Sequence, residues 1–159
     1  MKEKNILFLM KVFEVGGQEV VTVTLADTFI KKGYHVVIAS FKQPNDMMVK
    51  RTNPAVRFYT IGDFKYSKEN VNVVRRILQE NRINVVINQW GLPYVPCKVL
   101  NEAKEGMSIK TIAIYHNSPD TNARIKDVEI ALSETHNPLK KAMLYAKMFA
   151  FKQITSRSM

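Results

Sequence analysis

Residues 4–41, KNILFLMKVFEVGGQEVVTVTLADTFIKKGYHVVIASF, set two apolar runs on either side of an amphipathic segment. The run 6–10 is short and uniformly apolar, and it reads as a buried strand. Val21, Leu25 and Phe29 recur every fourth residue, which predicts one helix face, and Gly33 suits the C-cap of that helix. Residues 35–41, HVVIASF, predict a second strand. Between the first strand and the helix stand Gly16 and Gly17. A glycine pair there can present backbone amides at a helix start, as a phosphate-binding turn requires, or can serve a plain turn that needs positive φ. The two residues alone leave both readings open.

The alternation continues down the chain. Residues 56–61 predict a third strand, reached through a Pro-interrupted connection, 43–54, with room for little more than a helical turn. Ser67 is placed to N-cap a helix carrying Val71, Val74 and Leu78, which leads into a strand at 83–88. Pro93 and Pro96 suit the first turn of the next helix, and 111–115 predict a fifth strand. Strands alternating with helices at these lengths predict an α/β fold, a doubly wound parallel sheet of Rossmann-like type. Such sheets bind ligands outside the carboxyl ends of their strands, where the strand order reverses. With the common order 3-2-1-4-5, the loops 11–17, 89–93 and 116–120 would meet in one cleft.

Composition narrows the classes. The 159 residues, 46% hydrophobic, can bury the core of one domain. The single cysteine, Cys97, excludes an intramolecular disulfide, no Cys/His spacing resembles a zinc site, and no metal is expected. The N-terminus lacks a signal-peptide cleavage site and its apolar run is too short to span a bilayer, so the cytoplasm is the expected compartment. An excess of 24 Lys and Arg over 14 Asp and Glu, a net charge of +10, implies an anionic partner: nucleic acid, an acidic membrane surface or a phosphorylated ligand. The basic residues are spread along the chain and not gathered in one stripe with interleaved aromatics, which argues against nucleic acid. GGQE in place of GxGxxG, and a second strand ending Ala39-Ser40-Phe41 with no acid for a ribose, argue against NAD. No GK[ST] follows the glycines, and no acidic pair follows the first strand.

The order of the N-terminal strand, the GGxE of residues 16–19, KKGYHVVIAS (31–40), INVVINQWG (83–91) and IAIYHNSP (112–119) resembles the N-terminal domain of the retaining family 4 glycosyltransferases. These are nucleotide-sugar enzymes of GT-B architecture, with two facing doubly wound domains. The resemblance runs from Lys4 to about Pro119. It implies the acceptor-side half of an enzyme that moves a hexosyl group from a nucleoside diphosphate sugar to a cell-surface polysaccharide or lipid-linked acceptor, with no cofactor beyond that substrate. It also implies a C-terminal donor-binding domain with paired glutamates. Residues 1–159 contain no such half and lack the last strand of the first domain. The chain is therefore expected to be incomplete at its C-terminal end and, by itself, inactive.

Within that resemblance, Gly16 and Gly17 bind the donor diphosphate, and His116 acts near the reacting sugar as acceptor contact or proton relay. Asn88, Gln89, Trp90 and Asn117 are the acceptor-binding candidates, since amides and one aromatic face suit hydroxylated rings. Each has a plainer reading. Glu19 can serve the helix dipole, His116 can bond a loop backbone, Trp90 can plug the sheet edge, and Lys11 can be solvated. Residues 121–159 read as a mostly helical basic tail. A helix over 139–152 would carry Lys140, Lys141, Lys147 and Lys152 among Leu, Met and Phe, which suits either an anionic membrane surface or packing on a further part of the protein. Residues 128–133 fit helix or strand. The alternative to an enzyme is a non-catalytic basic module for nucleic acid or a membrane surface.

Overall fold

A computed structural model of the chain describes residues 4–89, 94–114 and 123–156. In chain order the elements are β1 (Asn5–Met10), α1 (Gly17–Lys31), β2 (His35–Ser40), α2 (Asp46–Arg51), β3 (Arg57–Thr60), α3 (Lys68–Glu80), β4 (Val85–Asn88), α4 (Tyr94–Ala103), β5 (Lys110–Ala113), α5 (Ala123–Glu134) and α6 (Pro138–Ser156). They divide into two compact units, Met1–His116 and Asn117–Met159.

The first unit is a five-stranded, all-parallel sheet in the order β3-β2-β1-β4-β5, a doubly wound Rossmann-like fold. Because side chains alternate across a strand, β1 feeds two cores at once. Leu7 and Leu9 face the cluster that holds Val37, Ala39, Val71, Val74, Ile77, Leu78, Val99 and Leu100. Ile6, Phe8 and Met10 face the cluster that holds Ala26, Val36, Ile38, Met48 and Ile87. So α3 and α4 cover one face, and α1 and α2 the other. On α3, Val71, Val74, Ile77 and Leu78 are buried, each contributing about 1.5–3 kcal/mol. The Ser67 hydroxyl accepts from the Asn70 amide at 3.1 Å, a cap contributing ~1 kcal/mol. The apolar face therefore holds the helix, and Ser67 decides where it starts.

Several boundaries and faces differ from the sequence expectations. β3 and β4 are shorter than 56–61 and 83–88, although Val56, Ile61 and Ile83 are still buried as their flanks. On α1, Val21 is 45% exposed. Glu19, Thr22 and Ala26 are the buried residues of this helix, with Val23, Leu25, Phe29 and Ile30 packed partly against the same core. Small side chains let the helix sit close to the sheet, and the Thr22 hydroxyl donates to the Gln18 carbonyl at 2.9 Å, so its burial leaves no polar debt. Gly33 stands one residue past the cap at Lys32. Its φ of +80 and the bonds Gly33 N to Ile30 O (2.8 Å) and Tyr34 N to Phe29 O (3.0 Å) make a Schellman motif. Residue 115, expected in the fifth strand, lies outside the described residues.

In the second unit, 128–133 is helical, as part of α5, which packs on α6. The Asn137 side chain accepts from the amides of Leu139 (3.0 Å) and Lys140 (3.3 Å) and starts α6. Among the described residues no helix is long and apolar enough to cross a membrane.

A polar strap joins α4 to α3 and to the segment before it. Glu102 accepts from the Tyr66 hydroxyl at 2.6 Å and pairs with Lys68, while its own backbone carbonyl accepts from Arg75 at 2.7 Å. The Lys68 ammonium, and then the Tyr66 hydroxyl, hold the Glu102 carboxyl below its ordinary value of 4.5. Lys31, and then Asn53, do the same to Asp27. A lowered folded-state pKa stabilises above the unfolded value and stops doing so as the pH falls through the folded one. The urea midpoint should therefore fall between about pH 6 and about pH 3. Glu102→Gln should lower it at the upper pH and flatten the fall, so that the two curves converge in acid. Parallel curves would show that the strap adds nothing.

Candidate functional site

The strand order reverses between β1 and β4, which are neighbours in the sheet but far apart in the chain. Their chains leave the carboxyl edge in opposite directions, and the crevice between them is where a doubly wound sheet has room for a ligand. Leu9 pairs with Asn88 at that edge, and the Gln89 amide donates to the Leu9 carbonyl at 3.0 Å, carrying the pairing one residue beyond β4.

The segment between β1 and α1 is held by its own side chains. Phe13 is fully buried with its ring 5.4 Å from Phe58, and the Phe13 carbonyl accepts from the Asn45 amide at 2.8 Å. The Lys11 ammonium lies 4.8 Å from the centroid of Phe64, whose ring meets Phe41 edge-on at 5.1 Å. From these anchors the chain enters α1 at Gly16. The Gln18 side chain, in the first turn, donates to the Gln89 carbonyl at 2.7 Å and ties the glycine turn to the loop after β4.

The two glycines do different work. Gly16 is the N-cap, with φ −167 and ψ 170, an extended conformation open to any residue, and it supplies no side-chain cap. Neither Gly16 nor Gly17 has a positive φ, so backbone conformation does not demand them. A Cβ at Gly16 would lie 2.6 Å from Oε2 of Glu19. Glu19, 7% exposed, occupies the third helical position, where a carboxylate folds back over the helix start and complements the dipole. Gly16 is thus the residue that makes room for Glu19. Among the described residues, a Cβ at Gly17 would meet nothing within 4 Å. Nothing in the described chain requires Gly17, and none of the described residues fills the space above it.

The first intrahelical bond of α1 runs from Val20 N to Gly16 O at 3.1 Å. The amides of Gly17, Gln18 and Glu19 therefore have no partner within the helix, and they point out of its positive end toward the crevice. Asn88 and Gln89, each 1% exposed, end β4 at this same edge, and the Gln89 carbonyl is the acceptor that Gln18 reaches. The Asn88 side-chain amide lies 3.6 Å from the Cys97 sulfur, linking the end of β4 to α4, and burial pushes the Cys97 thiol up from its ordinary value. Gly16, Gly17, Asn88 and Gln89 are thus brought to one edge. Trp90, His116 and Asn117, with the loop 116–120, lie outside the described residues. Phe13 and Gln18 were not singled out from sequence. The signals for them were an aromatic inside a polar loop and an amide in the first turn of a glycine-capped helix.

A family model described as Glycosyltransferase Family 4 matches residues 15–156. The chain belongs to glycosyltransferase family 4. The match begins beside Gly16 and runs through α5 and α6, so this family 4 sequence includes both compact units. Comparison with curated proteins gives no match. Membership carries a role in glycosyl transfer, with a sugar donor and an acceptor as partners.

Proposed function

We propose that the chain is the N-terminal, acceptor-side half of a retaining GT-B glycosyltransferase. It would help move a hexosyl group from a nucleoside diphosphate sugar to a cell-surface polysaccharide or lipid-linked acceptor. The observation that carries this reading is the open position over Gly17 at the start of α1, in the crevice between β1 and β4. When the bond from the anomeric carbon to the diphosphate breaks, the leaving phosphate oxygen gains negative charge. First-turn amides fixed in a helix start are placed to stabilise that charge without reorganising. Under this reading Asn88 and Gln89 set the floor of the acceptor side, and Trp90 and Asn117 contact the acceptor. His116 acts at its hydroxyl as contact or proton relay. Base and ribose are held by a second, C-terminal domain of the family's kind. The amides alone offer ~1 kcal/mol each, which leaves residues 1–159 with affinity for the donor of about millimolar and no transfer.

The second unit supports placement at a membrane. α6 exposes Leu139, Met143, Tyr145 and Phe149 beside the exposed Lys140, Lys141 and Lys147, and it contains no acidic residue. An apolar and basic surface of this kind favours an anionic lipid interface, where a lipid-linked acceptor also resides. This reading places the enzyme on the cytoplasmic face.

Two measurements test these readings. In the full-length enzyme, with a panel of uridine and guanosine diphosphate sugars, Gly17→Val should abolish turnover while the melting temperature changes little, because the new side chain occupies phosphate space. Normal turnover in the folded variant would refute the phosphate role, and no turnover of any donor by the unmutated protein would favour a non-catalytic module. In flotation, the chain should travel with vesicles containing phosphatidylglycerol and not with pure phosphatidylcholine. Lys140→Glu with Lys147→Glu should release it. Equal behaviour on both vesicles would remove the membrane reading.

A further inference from the structure

The sheet has a second edge, and three cationic side chains gather there. A cavity of about 290 Å³ is lined by Lys4 and Asn5 at the start of β1, Gly33 and His35 at the start of β2, Arg57 at the start of β3, and Glu80, Asn81 and Arg82 at the end of α3. Three permanent cations face one carboxylate. Among the described residues Lys4, Arg57 and Arg82 form no ion pair; Lys4 donates to the Tyr34 hydroxyl at 3.0 Å and lies 5.1 Å from the centroid of the same ring. The floor is polar and preorganised. Asn81, buried, donates to the Ile77 carbonyl at 2.9 Å and to the Tyr59 hydroxyl at 3.1 Å, and its Oδ1 lies 3.5 Å from His35 Nε2. Asn5 Nδ2 donates to the Arg82 carbonyl at 3.1 Å, fixing the turn that presents the arginine.

Arg82 is the unusual member. Both α1 and α3 end in a Schellman motif at this edge: Gly33 N to Ile30 O and Tyr34 N to Phe29 O for α1, Arg82 N to Gln79 O (3.1 Å) and Ile83 N to Leu78 O (2.9 Å) for α3. The left-handed position is glycine in the first, with φ +80, and Arg82 in the second, with φ +48. Glycine would serve the backbone better at 82, so the guanidinium is kept at the expense of the fold. Complementing helix dipoles does not account for the cluster. Lys31 already does that in the last turn of α1, Arg82 stands where it can do so for α3, which has no basic residue in its last turn, and Arg57 belongs to a strand with no helix end to serve.

We propose that this cavity at the amino edge of the sheet binds a phosphate-bearing ligand, with Arg57 and Arg82 as the paired guanidinium forks and Lys4 as the third charge. The planar forks match phosphate oxygens two at a time, which a lysine cluster would not do. β1 separates this cavity from the Gly17 turn by about 20 Å, six residues at a strand's rise. One small ligand cannot occupy both, so the cavity is a second site. It is independent of the diphosphate reading.

The test is a titration of the full chain with inorganic pyrophosphate at constant ionic strength, run in the Gly17→Val background so that the α1 turn is blocked. The expected result is saturable binding with amide shifts at Gly33, His35 and Asn81. Arg82→Gly, which suits the left-handed backbone, and Arg57→Gln should each weaken it by about tenfold with the fold intact. A lipid arm compares phosphatidylcholine vesicles with and without phosphatidic acid. Loss of the phosphatidic acid response in Arg82→Gly assigns a lipid headgroup, and a response to soluble pyrophosphate alone assigns a free phosphate compound. Pyrophosphate binding that is unchanged in both arginine variants, or no binding to either probe, would overturn the proposal.

Discussion

β1 is buried along its whole length and bonded on both sides, to β2 and to β4, and everything else in the first unit depends on that position. A strand so placed must be apolar on both faces, must be covered by helices above and below, and must pass its chain out at the carboxyl edge beside a strand from much later in the sequence. The crevice follows from this topology before any functional residue is considered. Phe13, buried beyond the strand end, then converts a free exit into a fixed approach to α1, and the bond from Gln18 to Gln89 closes the other side.

The two edges of the sheet have opposite electrostatics built from the same parts. Helix starts meet the carboxyl edge, so backbone amides supply positive potential there without charged side chains. Helix ends meet the amino edge, where carbonyl dipoles would repel an anion. Lys4, Arg57 and Arg82 add positive charge there, beside Glu80. Part of the net charge of +10 thus lies at the edge where helix ends are unfavourable to anions. Under the proposed function, a sugar donor occupies the carboxyl edge. That function does not ask for the amino edge.

Much of this was legible in the sequence, for identifiable reasons. The five apolar runs are short and bounded by turn residues, so strand existence and the sheet type were readable even where ends shifted by one to two residues. Ser67 caps α3 as its hydroxyl and spacing suggest, because capping is a local interaction. The face of α1 was harder. Threonine and glutamate look polar in sequence, yet Thr22 is satisfied by its own helix and Glu19 by a helix start, so Val21 loses its place to them. Residues 128–133 became helical through a helix partner, which periodicity cannot supply. For the site, Gly16 and Gly17 were visible as glycines, but the division between them required coordinates. Gly16 yields to Glu19, and Gly17 yields to nothing in the described chain. Arg82 was invisible because nothing in its neighbourhood marks a left-handed arginine.

The central claim is that the diphosphate of a sugar donor meets the first turn of α1 in the crevice between β1 and β4. The most direct measurement is an amide NMR titration of the chain with uridine diphosphate and with guanosine diphosphate. The amides of Gly16, Gly17, Gln18 and Gln89 should shift and saturate at about millimolar nucleotide. Saturable nucleotide binding that leaves those four amides unmoved would contradict it.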